Sequence, residues 1–167
     1  MVELYIVRHA IAAERGPEWP DDTKRPLTER GVDRFKECVE GLRSYDVELD
    51  VIFTSPLVRA RQTAEYLSAG LAGKPPIKTA DSLAPGHTSV EVMEQIAREA
   101  RSATRVALVG HEPDLGELAA WLVGTKRSIP FKKGGVCRLD LDSLSSRYGT
   151  LAWHMPPRAL RKLARTT

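Results

Sequence analysis

The chain has 167 residues, with 25 Lys and Arg against 22 Asp and Glu, a formal net charge of +3. That length suits one domain with its own core over residues 1–167, and so mild a charge gives no ground for expecting nucleic acid. Cys38 and Cys137 lie far apart without metal-ligand spacing, no run is long enough to span a membrane, and nothing at the N-terminus reads as a signal peptide, so a cytoplasmic protein with buried thiols is expected.

Residues 4–7, Leu-Tyr-Ile-Val, read as a buried strand that runs directly into Arg8-His9. Residues 10–26 carry Gly16, Pro17, Pro20, Asp21 and Asp22 and read as a loop. Thr28 can cap a helix over 28–45, whose core face is Val32, Phe35, Cys38, Val39 and Leu42. A second strand over 49–53 runs into Thr54-Ser55-Pro56, where Ser55 suits a helix cap and Pro56 the first helical position. Arg59 and Arg61 then fall near the start of that helix, the wrong end for cations unless an anion shares the site; a surface pair with Glu65 suits Arg61 better than Arg59.

Residues 77–79 read as a short strand near a sheet edge, and 81–89 as a loop holding an exposed His87. Thr88 and Glu91 have capping-box spacing for a helix that buries Val92, Met93, Ile96 and Ala100. Residues 105–111 repeat the opening pattern, a buried strand followed by His111; Asp114 and Glu117 are spaced as a cap and its partner for a helix that stops at Gly124. Beyond a basic loop (Lys126, Arg127, Lys132, Lys133), Cys137, Leu139 and Leu141 alternate with polar residues. Leu151, Trp153 and Met155 alternate likewise, so the two strands suit an antiparallel pair with His154 at the surface, before a short basic helix over 159–165.

Three buried strands, each followed by a helix, predict a mainly parallel sheet with right-handed crossovers and an antiparallel edge pair. Their carboxyl ends gather Arg8, His9, Ser55, Arg59 and His111 on one edge. Two arginines, two histidines and a helix start suit a phosphoryl dianion. The chain contains neither GxGxxG nor GxxxxGK[ST], and two histidines without a third ligand make a poor metal site, so no cofactor or metal is expected, which leaves phosphoryl transfer with a histidine as nucleophile.

Arg8-His9, the stretch Thr54-Ser55-Pro56-Leu57-Val58-Arg59-Ala60-Arg61-Gln62-Thr63-Ala64, Val109-Gly110-His111 and Leu27-Thr28-Glu29-Arg30-Gly31 together resemble the histidine phosphatase superfamily, in order along nearly the whole chain. The short length and the run from Trp153 to Leu160 resemble its small bacterial phosphohistidine phosphatases of the SixA type. The resemblance implies a phosphoglycerate mutase-like, three-layer α/β/α sandwich and a cofactor-free phosphatase. In it His9 becomes phosphohistidine, while Arg8, Arg59 and His111, with Ser55 beside them, hold the phosphoryl oxygens. A histidine-phosphorylated protein is the implied partner.

Two departures stand out. Ala10 replaces the glycine usual after the nucleophile, and residues 82–89, where the family's general acid usually lies, carry no carboxylate. Glu112 is the first candidate acid and Asp81 the second, with a helix-dipole role as the alternative for Glu112. Phosphohistidine tolerates a weak acid, since imidazole is a far better leaving group than an alkoxide. A phosphatase of small phosphoesters and a non-catalytic phosphate binder are the other functions this pattern allows.

Overall fold

In the computed structural model, which describes residues 1–166, six strands and five helices form three layers. The strands are β1 (Val2–Arg8), β2 (Val51–Thr54), β3 (Ile77–Thr79), β4 (Arg105–Gly110), β5 (Val136–Leu141) and β6 (Thr150–Met155). The helices are α1 (Glu29–Ser44), α2 (Val58–Gly70), α3 (Ser89–Ala100), α4 (Asp114–Val123) and α5 (Pro157–Ala164). The sheet order is β3-β2-β4-β1-β5-β6; the first four strands run parallel, and β5 and β6 are antiparallel to their neighbours.

Alternation along the central strand decides which helix goes where. Leu4 and Ile6 face one side, with α3 and α4, while Tyr5 and Val7 face the other, with α1, α2 and α5. Both faces are covered, so β1, β2 and β4 are apolar almost throughout. Because α1 follows β1 on one face and α4 follows β4 on the other, a crevice opens between the ends of these adjacent strands.

Several local expectations hold. Thr28 caps α1 by accepting from Gly31 N at 2.9 Å. Thr88 and Glu91 form the full capping box of α3, which buries Val92, Met93, Ile96 and Ala100. Gly124 ends α4 in the left-handed conformation, and β3 is an edge strand. Glycine matters for packing at Gly31 and Gly41. A Cβ there would run into the carbonyl oxygens of Ile11 and Leu160, so α1 lies hard against both the segment after β1 and α5.

Others are corrected. The helix after β2 starts at Val58, later than Pro56, with Leu57 in the cap position; leucine offers no side-chain acceptor, and the Ser55 hydroxyl instead accepts the Leu57 amide at 3.2 Å while meeting His111. Pro113, not Asp114, occupies the cap of α4; the Asp114 carboxylate instead accepts from Gly86 N at 2.9 Å and ties down the preceding loop. Leu151 is exposed, since β6 is outermost and its register with β5 shifts at Arg138/Leu139. His154 is half-buried, its ring 4.7 Å from that of Phe131, rather than at the surface. The 10–26 segment is a loop as expected, and it closes on itself. Ala12 bridges Leu27, Ala13 N donates to Pro26 O at 2.8 Å, and Asp22–Lys24 form a 3₁₀ turn.

Candidate active site

Sheet register assembles the site. Arg8 lies opposite Gly110 and Thr54 opposite Val109, so the next residues, His9, His111 and Ser55, emerge side by side. Backbone bonds continue the ladder one step further, from His9 N to Gly110 O at 3.0 Å and from Ser55 N to Val109 O at 2.9 Å. The crevice beyond is a cleft of about 510 Å³ whose walls include Arg8, His9, Arg59, His111 and Glu112.

His9 is 5% exposed, and its Nδ1 lies 2.7 Å from the Ala10 carbonyl oxygen. A carbonyl can only accept, so Nδ1 carries the proton and Nε2 is left with its lone pair. Burial lowers its pKa to about 4, against the opposing bond to Ala10, with the positive charges of Arg59, Arg8 and Lys133 acting in the same direction. His9 is therefore a neutral imidazole at physiological pH. Ala10 fits because its methyl joins the core beneath the site, 2% exposed. Ala10 N donates to Thr63 Oγ1 at 3.1 Å, and Thr63 donates to the Arg59 carbonyl at 2.7 Å, so α2 fixes the backbone after the histidine.

His111 stacks obliquely on His9, ring centroids 5.2 Å apart, and is 4% exposed. Burial lowers its pKa to about 3, and His9 and Arg59 push the same way. Its Nε2 lies 2.8 Å from Ser55 Oγ, and its buried Nδ1 has no partner. Ser55 is fully buried behind this ring and lies outside the cleft wall, not beside the phosphoryl position expected for it.

Arg59 projects from the first turn of α2 and is 2% exposed. Sequence reasoning missed what holds it. Nη1 donates to the Asp22 carbonyl at 2.8 Å and Nη2 to the Asp22 carboxylate at 3.1 Å. The same carboxylate accepts from Arg25 Nε at 3.0 Å, and Arg25 Nη1 donates to Ala13 O at 2.6 Å. Against the opposing effect of burial, the bonds and charges of Arg25 and Arg59 hold Asp22 below the usual carboxylate range. Arg25 is itself 7% exposed and lines the cleft, so a third arginine joins Arg8 and Arg59. The only signal for it was a cluster of acids and bases in a segment that had to be a loop. Arg61 makes the predicted surface pair with Glu65 at 3.3 Å.

Arg8 donates from Nη1 to Phe131 O at 2.7 Å, and its buried Nε is unpartnered, as is Nε of Arg59. Glu112 reaches the cleft, yet its Oε1 accepts from Gly116 N at 2.7 Å in the first turn of α4. Burial raises its pKa, opposed by the amides of Gly116 and Phe131 and by the Arg8 charge. Asp81 is exposed and lies outside the cleft wall, as does His87, which pairs with Glu91 at 3.7 Å. No group of three His, Cys, Asp or Glu is placed to hold a metal, and no helix is long and apolar enough to cross a membrane, among the described residues.

A neutral buried imidazole with a free nitrogen, ringed by arginines and a second histidine at the mouth of an α/β/α sandwich, is chemistry suited to a phosphoryl group. The sequence pattern of the histidine phosphatase superfamily (branch 1) matches residues 4–87. An uncharacterized protein of Picosynechococcus sp. is 39% identical over 83% of this chain and 84% of its own length. The phosphohistidine phosphatase SixA of Escherichia coli is 27% identical over 93% of this chain and 94% of its own. The structure of the protein histidine phosphatase SixA complexed with tungstate superposes with a TM-score of 0.84 at 28% identity, covering 95% of this chain and 99% of that one. The chain belongs to the histidine phosphatase superfamily.

Proposed function

We propose that the protein hydrolyses phosphohistidine carried on another protein, through a phosphohistidine formed at His9. The observation that carries this reading is a set of three buried, unpartnered nitrogens around the nucleophile: Nε of Arg8, Nε of Arg59 and Nδ1 of His111. An unsatisfied buried donor costs about 1–3 kcal/mol. A phosphoryl dianion in the cleft satisfies all three at once, and they bear on its oxygens most strongly as charge builds up during transfer.

In the first step Nε2 of His9 attacks phosphorus and the bond to the substrate imidazole breaks. The leaving nitrogen takes its proton from solvent in the open cleft. In the second step water attacks the phosphorus of phospho-His9, releasing inorganic phosphate and restoring the imidazole. Glu112 accepts the Gly116 amide through Oε1, and we assign it to holding the start of α4 beside Arg8 rather than to proton donation. An acid-free site favours substrates whose leaving group departs easily, which suits a phosphoramidate better than an alkyl ester.

The test is turnover with excess chelator of a histidine-phosphorylated carrier protein and of a small aryl phosphate, each with a His9→Ala control. Faster release from the carrier, abolished in the variant, supports the reading. Faster release from the aryl ester makes the protein a small-molecule phosphatase. Release from neither makes it a phosphate binder.

A further inference from the structure

The cleft does not end at the nucleophile. On the α1 and α5 side Lys133, which lines the cleft and whose charge bears on His9, also lines a second recess of about 50 Å³. Its apolar wall includes Ile11, Phe35 and Pro157, and its rim carries Arg34 from α1 and Arg161 from α5. Among the described residues no acidic side chain forms an ion pair with Lys133, Arg34 or Arg161. The acid next along α1, Glu37, is engaged by Arg165 at 3.5 Å. Three cations held around one recess without a counter-charge repel one another, and this is relieved when an anionic partner arrives.

The geometry points to a docking groove for the substrate protein, running from His9 past Lys133 to Arg34 and Arg161. It takes an acidic segment flanking the phosphorylated histidine, with a small apolar side chain seated on Ile11 and Phe35. This rests on the phosphoprotein reading above and adds what lies beside the phosphoryl group. Charge complementarity selects the occupant: a basic segment is repelled by all three cations, and a phosphoryl group already seated at His9 leaves Arg34 and Arg161 for carboxylates. The recess, at about 50 Å³, is too small for a second large ligand.

The experiment uses one leaving group in three settings: free phosphohistidine, phosphohistidine in a peptide flanked by Asp and Glu with one alanine, and the same peptide flanked by Lys. The wild-type protein is expected to show a KM roughly tenfold lower for the acidic peptide than for the basic one, a preference that shrinks as salt rises. Arg34→Glu with Arg161→Glu is expected to erase that preference while leaving kcat/KM for free phosphohistidine within about twofold. Arg34→Gln with Arg161→Gln, checked by thermal melting, serves if the charge reversal does not fold. Turnover of all three substrates without preference, or a preference that survives both double variants, overturns the groove and leaves the phosphohistidine reading standing. Turnover of an aryl phosphate but of none of the three overturns that reading, and the groove with it.

Discussion

The Ser55 hydroxyl lies 2.8 Å from Nε2 of His111 and also accepts the Leu57 amide at 3.2 Å. Ser55 is fully buried, so its own proton needs an acceptor. Nε2 is that acceptor, which leaves the proton of the neutral His111 ring on Nδ1, the nitrogen without a partner. The serine thus makes Nδ1 of His111 a donor without charging the ring. Ser55→Ala strands both Leu57 N–H and Nε2 and frees the ring to change tautomer. A loss of stability of about 1–3 kcal/mol is expected, with a fall in kcat larger than any rise in KM. Ser55→Thr keeps the hydroxyl and restores most of the activity. Nitrogen NMR of His111 reads the tautomer directly: Nδ1–H in the native protein and a mixture in the alanine variant.

His9→Ala is expected to abolish turnover and any acid-labile phosphoenzyme, since the other imidazole in the cleft wall, His111, has its Nε2 lone pair engaged by Ser55 and its Nδ1 protonated. Arg59→Ala removes a donor that acts on the transferring group and is expected to lose roughly 2–4 kcal/mol of transition-state stabilisation, read as kcat/KM. Native-like rates from either variant would sink the site.

Asp22 has a testable job at a distance from the chemistry. Its carboxylate joins Arg59 to Arg25, and both arginines are buried while Asp22 is partly open to solvent. Asp22→Ala removes the carboxylate between two buried guanidiniums and leaves Arg59 only the main-chain carbonyl of residue 22. The expected result is a kcat/KM reduced about tenfold, with Asp22→Asn intermediate because an amide oxygen still accepts from one arginine. Equal activity in all three proteins would show that α2 alone holds Arg59.

The arrangement of the strand ends was readable because it depends on short-range signals. An apolar run ending in Arg8-His9, and another ending in Gly110-His111, need only strand recognition and the rule that parallel strands share a carboxyl edge. Asp22 and Arg25 were not readable, because their contacts with Arg59 and Ala13 depend on how one loop closes on Leu27, and no periodicity encodes that. Ser55 was visible as a polar residue at a helix start, but a cap and a histidine partner look alike in sequence. Only the neighbouring strand β4, inserted between β1 and β2, brings His111 within reach of it. The exposure of Leu151 and the burial of His154 reflect a register shift that alternation cannot foresee.

An oxyanion should stabilise the folded protein. Tungstate or inorganic phosphate supplies the acceptors that Arg8 Nε, Arg59 Nε and His111 Nδ1 lack. Binding to the folded state alone adds about 2.7 kcal/mol at a hundredfold excess over Kd, a rise of several degrees in Tm. Calorimetry of Arg59→Ala should show that rise much reduced, whereas an unaltered response would place the anion elsewhere.

The two site histidines also make stability depend on pH, in a direction that can be worked out. His9 and His111 have folded pKa values of about 4 and about 3, against about 6.5 unfolded. Between those limits the unfolded chain binds more protons than the folded one, so stability rises with pH across the window. Their contribution is complete above about pH 6.5 and is lost as pH falls toward 4 and then 3. Urea midpoints measured from pH 7.5 to 4 should fall, and the fall should shrink in His9→Ala, which has one buried imidazole fewer. The activity limb differs from the stability limb. Because His9 attacks only when neutral, kcat/KM for an aryl phosphate should hold down to about pH 5 and drop through its folded pKa of about 4. An acid limb centred near 6.5 would mean an imidazole far more solvated than the one between Arg8 and Arg59, and would remove the case for a nucleophile kept neutral by burial.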